Sequence, residues 1–232
     1  MEGLRIACLY SLNCPELLKE PGAQKIVFEF IKNPEKEKTP LVKEILEKLE
    51  PFIFYQLIAL QNGITDPFEE NVVRAYWLGN NLLKTITKRD ARNFFNLGFS
   101  FEHHKLTLIK ILDLVGGKPH HNWETLWLIK KVKRKLGLPR EFLVNLDNCL
   151  ITAGEIVYAG GDTLQVKTKE LSLERGKIVL RNAMPLIGRG LDKVKERDFV
   201  SIHLLQAREK ISRNCAKNLI EITKEAIEFF KE

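Results

Sequence analysis

Near residue 147 the hydrophobic pattern changes its period. Before that point apolar residues recur every three or four positions. After it come short β-branched runs, separated by glycine, as in "GEIVYAGGDTLQVKTKELSLERGKIVLRNAM". A pattern of period 3.6 belongs to a helix and one of period 2 to a strand, and neither substitutes for the other. A chain with both grammars in separate stretches predicts a helical region joined to a β region.

The helical signals are specific. In "TPLVKEILEKLE" Thr39 is the expected N-cap and Pro40 the first helical residue. In "DPFEENVVRAYWLGNNLL" Asp66, Pro67 and Glu69 form an entry like a capping box. Phe101, His104, Leu108, Ile111, Leu112 and Val115 share one face of a further expected helix, and Trp123, Leu126 and Trp127 mark another. Past residue 147, Gly160-Gly161-Asp162 and Glu174-Arg175-Gly176-Lys177 read as hairpin turns, and "RDFVSIHLL" (197–205) as a further strand, near whose end the strand-rich part stops. Closely spaced short strands predict a small closed barrel. A last helix follows Ser212, with Cys215, Leu219, Ile222, Ala226 and Phe229 on its apolar stripe. The fold class expected is α+β: a helical domain over 1–146, then a small β-barrel with a C-terminal helix over 147–232. The boundary falls in "GLPREFLVNLDN" (137–148).

At 232 residues and 44% hydrophobic, such a core is feasible. No apolar stretch reaches the length of a membrane span, and "MEGLRIACLYSLNC" lacks the features of a signal peptide, so a cytoplasmic protein without membrane attachment is expected. The net charge is +7, with basic residues crowded in "IKKVKRKLG" (129–137). No aromatic residue interrupts that run to stack on bases, so it is read as a solvated helix face and nucleic acid is not the expected partner.

The four cysteines have no Cys-x-x-Cys spacing. Cys8, Cys14 and Cys215 are read as small apolar packing residues. Cys149, at the mouth of "NCLITAGEIV", is the candidate with chemistry. In a barrel the first and last strands can lie side by side. A thiol at the start of one and His203 within the other would then share a ligand. Thiolate with imidazole is a soft, strongly donating pair that suits low-spin iron or another late transition metal. The remaining histidines come as His103-His104 and His120-His121. His104 lies on an apolar helix face and reads as a core residue. His120 and His121 follow a Gly-Gly-Lys-Pro loop and form a weaker candidate metal pair, since adjacent imidazoles splay apart.

"NCLITAGEIV", taken with "RDFVSIHLLQAREKISRNCAKNLIEI", resembles the HypC/HupF family of small NiFe-hydrogenase maturation chaperones. Cys149, Leu150 and Gly154 match the opening motif of that family. Asp198, Phe199, Val200 and His203 match its Asp-aromatic-Val-x-x-His stretch, and Lys210-Ile211 its Lys-Ile. The resemblance covers about 148–232. It differs in having Cys149 internal, without the free amine that stands beside the family's N-terminal cysteine. Ala153 replaces the motif proline, Leu205 and Gln206 replace Gly-Phe, and Ser212 stands where the family has Asp. The resemblance implies an OB-like barrel in which Cys149, helped by His203, carries iron bearing cyanide and carbonyl ligands. The implied partner is a hydrogenase large subunit or another maturation protein. With "VVRAYWLGNNLL" and "KPHHNW" included, the whole chain also resembles an uncharacterised bacterial family associated with hydrogenase gene neighbourhoods.

The expectation is therefore a non-enzymatic accessory protein or metallochaperone. The rivals are a metal-dependent enzyme built on the paired histidines with Glu102 or Glu124, and a basic RNA-binding barrel.

Overall fold

The computed structural model describes residues 1–96, 118–136, 140–191 and 193–230. They belong to two compact units, Met1–His120 and His121–Glu232. Among the described residues no helix is long and apolar enough to cross a membrane.

The first unit is helical: α1 (Glu2–Ser11), α2 (Pro15–Lys19), α3 (Ala23–Lys32), α4 (Thr39–Glu47), α5 (Pro51–Gln61), α6 (Glu70–Leu78) and α7 (Lys88–Asn96). Helix α1 packs on α6 and α3, and α5 packs on α6. Aromatic side chains fill the centre. Tyr10 stacks on Trp77 with ring centroids 5.2 Å apart, and the indole N–H of Trp77 donates to the Tyr55 hydroxyl. Cys8 is buried here, and burial pushes its thiol pKa up to about 12, as suits a residue that only packs.

Two expected helix starts are shifted. Glu69, not Asp66, caps α6: its carboxylate accepts from the backbone N–H of Asn71 and Val72. Asp66 instead accepts from the Phe68 N–H in the preceding turn. Thr39 is already helical, because a 3-10 turn over Lys36–Lys38 runs into α4. The helix expected over 101–115, with Glu102, His103 and His104, lies outside the described residues.

The second unit mixes helix and sheet. Helices α8 (His121–Leu136) and α9 (Arg140–Cys149) precede strands β1 (Thr152–Gly160), β2 (Thr163–Glu174), β3 (Lys177–Ala183), β4 (Leu186–Gly188), β5 (Phe199–His203) and β6 (Gln206–Ile211). Helix α10 (Arg213–Phe230) ends the chain, as expected. The strands begin where the period changes, but the packing unit begins 26 residues before the expected boundary at 147, with α8. The physical reason is that α8 packs against α10, which itself packs on β1 and β5, and that α9 packs against β2, so both helices belong with the strands. The side chains of the basic run 129–137 lie outside the described residues.

In the sheet β1 pairs with β2 and β5, β5 with β6, β6 with β4, and β4 with β2, so the pairings return to β1. Strand β3 extends β2 as a hairpin beyond that ring. Leu164, Val166, Ile187, Val200 and Ile202 fill the interior, each side chain contributing roughly 1.5–3 kcal/mol by burial. Gly154 faces this interior. A Cβ there would stand 3.1 Å from both Ile202 Cδ1 and Val166 Cβ, so any side chain at that point would push these neighbours aside by a few tenths of an ångström.

Both glycine-marked turns are present, pairing Gly160 with Thr163 and Glu174 with Lys177. The strand-rich part does not stop at Leu205, however. A third two-residue turn, Leu204-Leu205, reverses the chain into β6 and pairs His203 with Gln206. Both leucines have positive φ, 52° and 58°, which costs a non-glycine residue roughly 1–2 kcal/mol each.

Candidate functional site

Cys149 is the last residue of α9 rather than the first of a strand. Two residues later β1 runs antiparallel to β5, with Thr152 opposite Ile202 and Ala153 opposite Ser201. The start of β1 thus meets the end of β5, where His203 sits. The Leu204 N–H donates to the Asn148 carbonyl at 2.9 Å, which ties the residue after His203 to the residue before Cys149.

His121, the first residue of α8, joins them. Its Nε2 lies 2.9 Å from the Cys149 carbonyl oxygen. A carbonyl only accepts, so Nε2 carries the hydrogen in this contact. The His121 ring meets the buried His203 ring edge to face, with centroids 5.3 Å apart and planes at 79°. Helix α8, the end of α9 and the end of β5 therefore bring His121, Cys149 and His203 to one place. His120, the other member of that pair, is buried at the end of the first unit, with its N–H on the Lys118 carbonyl.

The chemistry of the thiol follows from its surroundings. Cys149 is exposed as a residue, yet partial burial of its sulfur raises the thiol pKa. Its place at a helix C-terminus, the negative end of the dipole, also disfavours a thiolate. The free group is a neutral thiol and a poor nucleophile at neutral pH. A soft cation that displaces the proton would overcome both effects, with an affinity that rises with pH. Among the described residues no group of three or more His, Cys, Asp or Glu side chains is arranged to hold a metal ion. Glu124, the carboxylate considered for an enzyme, is buried in α8. Cys14 and Cys215 are half-buried and in no disulfide.

Two of the motif residues have a structural part. Asp198 accepts from the Lys195 N–H and from Lys210 Nζ at 2.8 Å, and the lysine holds its carboxyl below the ordinary range. The ion pair is on the surface and fastens β5 to β6.

Asn122 carries no motif signal. It is fully buried, and its amide pairs with the backbone of Ile151 in both directions: Nδ2 donates to the carbonyl at 2.7 Å and Oδ1 accepts from the N–H at 2.9 Å. Nδ2 also donates to Thr223 Oγ1 at 2.8 Å. One side chain thus joins α8, α10 and the bend between Cys149 and β1. Nothing local in "HHNWE" announces a partner 29 residues away.

No curated protein and no solved structure matches the chain. A family match does exist and runs over residues 40–232, so it takes in His121, Asn122, Cys149 and His203 together. On that match the chain belongs to the family of unknown function DUF6390.

Proposed function

We propose that this chain is an accessory protein of NiFe-hydrogenase maturation that holds an iron cargo through Cys149 and His203. In this reading the ring of β1, β5, β6, β4 and β2 is a small barrel of the HypC type, and the protein works in the cytoplasm beside a hydrogenase large subunit or another maturation protein. What supports it is the meeting of the Cys149 segment with His203, with His121 braced between the Cys149 carbonyl and the His203 ring. A soft sulfur and imidazole nitrogens suit iron in a low-spin state. Two or three protein donors leave positions for the ligands that the cargo brings with it, as a carrier needs. Firm coordination by a closed cage would oppose release.

Infrared spectroscopy of protein purified anaerobically from a hydrogenase-producing host tests this. Cyanide and carbonyl stretching bands are expected in the wild type. They should vanish in Cys149→Ser, which keeps the size of the side chain but replaces a soft donor with a hard, poorly ionised hydroxyl. The unfolding free energy should stay within about 1 kcal/mol of wild type, because the residue is exposed. Bands that persist in Cys149→Ser, or a wild type without bands, would sink the proposal.

A further inference from the structure

The second unit also carries a cleft of roughly 620 Å³ between the end of α9, the β2–β3 hairpin and the Leu204-Leu205 turn. Cavities that hold small molecules span about 300–1,000 Å³. A partner protein would instead need about 800 Å² of surface on each side, spread beyond one concavity. Ile187 and Ile202 form buried parts of the wall, while Val144, Leu173 and Leu205 line it as exposed apolar side chains. Such groups are unfavourably hydrated, and an apolar guest that covers them is held by the same effect that buries a core.

The polar groups of the cleft are matched within the protein. Its charged residues are two basic, Lys169 and Arg181, and two acidic, Asp147 and Glu170, so their charges sum to zero. Arg181 pairs with Glu170 at 2.9 Å, Lys169 Nζ donates to Asn182 Oδ1 at 2.6 Å, and Asp147 Oδ1 accepts from the Leu171 N–H at 2.7 Å. The Thr168 hydroxyl donates to the Ala153 carbonyl at 2.8 Å, and the Thr152 hydroxyl lies 3.1 Å from that of Thr168. A charged guest of either sign would lose its hydration here and meet as much repulsion as attraction.

The turn adds an independent sign. Leu204 and Leu205 hold φ of 52° and 58°, a region in which asparagine or glycine sits at little cost, and both line the cleft. Leu205 is half exposed, so burial in the protein's own core does not offset its strain. A conformation of this kind persists where the strained side chain serves a purpose.

We propose that this cleft binds a small uncharged apolar molecule, a medium-chain alcohol in size and polarity, with its hydrocarbon against Leu173, Ile187, Ile202 and the Leu204-Leu205 turn. Apolar contact supplies the affinity, and the balanced charges around it turn away cations and anions alike. The site uses neither Cys149 nor His203, so it stands or falls apart from the iron reading.

Fluorescence titration of the full chain with N-phenylnaphthylamine, a neutral probe that brightens in apolar surroundings, tests the assignment at neutral pH. The probe should bind, and decanol should displace it. Decylammonium and decanoate should need at least about tenfold more ligand for the same displacement, since each carries an unmatched charge into the cleft. Leu205→Gly removes an apolar wall and relieves the turn, so probe and decanol should bind severalfold more weakly while the unfolding midpoint rises. Leu173→Ser, on the β2–β3 hairpin, should weaken both as well and leave the midpoint nearly unchanged, because the residue is exposed. Failure of the wild type to bind the probe, equal displacement by the charged analogues, or wild-type affinity in both variants overturns the proposal. So does a lowered midpoint in Leu205→Gly, which would show that the leucine stabilises the turn itself rather than a guest.

Discussion

Asn122→Ala should lower the stability of the His121–Glu232 unit by about 3–5 kcal/mol, the sum for two buried backbone groups left without partners. The side chain has no exposed surface, and it supplies both hydrogen bonds of Ile151. Alanine removes them together, in a space already closed to bulk water. The Thr223 hydroxyl loses less, since it donates to the Leu219 carbonyl at 2.8 Å in any case. Thr223→Val is therefore the milder comparison, with a loss of about 1 kcal/mol. Urea unfolding of both variants checks the ranking. A cost under about 1 kcal/mol for Asn122→Ala would mean that water replaces the amide. The substitution should also loosen Cys149, because Ile151 lies two residues from it and the Asn122 amide fixes the bend between them.

Asp147→Asn carries the second large effect, and its sign depends on pH. Burial, with the neighbouring Glu170 charge, raises the Asp147 carboxyl from the ordinary 3.8 to about 6, although its Oδ1 accepts from the Leu171 N–H at 2.7 Å. A carboxyl raised in this way contributes stability that is fully present below the ordinary value and is lost as pH rises through about 6. At pH 8 the wild type holds an ionised, poorly solvated carboxylate that asparagine does not have. The variant should then be more stable by about 2 kcal/mol, the full shift discounted for the solvent the side chain still meets. Below about pH 4 the two proteins should converge. Asp198 runs the other way. Lys210 depresses its pKa, so its contribution is lost as pH falls, and it is common to both proteins. Chemical denaturation at pH 4 and pH 8 separates the two. A variant less stable than wild type at pH 8 would show that the Leu171 hydrogen bond outweighs desolvation.

The parts of the fold that could be read in the sequence are those whose chemistry is local. The period change near 147 announces β1 because each strand residue reports its own face. Gly161 and Gly176 announce their turns because positive φ is nearly free only for glycine. Leu204 and Leu205 adopt the same backbone region without glycine or asparagine to mark it, so nothing in the sequence announces the turn into β6 over "QAREKI". The packing boundary at His121 was hidden for another reason: whether a helix joins the strands depends on its partner faces in space, and periodicity does not encode that. The same division holds at the site. Cys149 and His203 were legible through motif resemblance, and His121 only as one of an adjacent pair. Asn122 and Asp147 act on backbone groups 29 and 24 residues away, and an isolated amide or carboxylate leaves no periodic trace.

The ring of strands has a seam. Strand β4 is three residues long and meets β6 through a single parallel pair, Gly188 with Gln206, backed by the Gly188 N–H on the Leu205 carbonyl at 2.8 Å. Every other junction of the ring is antiparallel and longer. Hydrogen exchange of backbone amides should therefore find the ring opening first between β4 and β6, well below the free energy of global unfolding. Pro185, beside β4, and Ile187, on it, also line a cleft that Asp147 and Leu171 share. The ring is therefore closed unevenly: four of its junctions are held as a sheet is, and the fifth as a latch is.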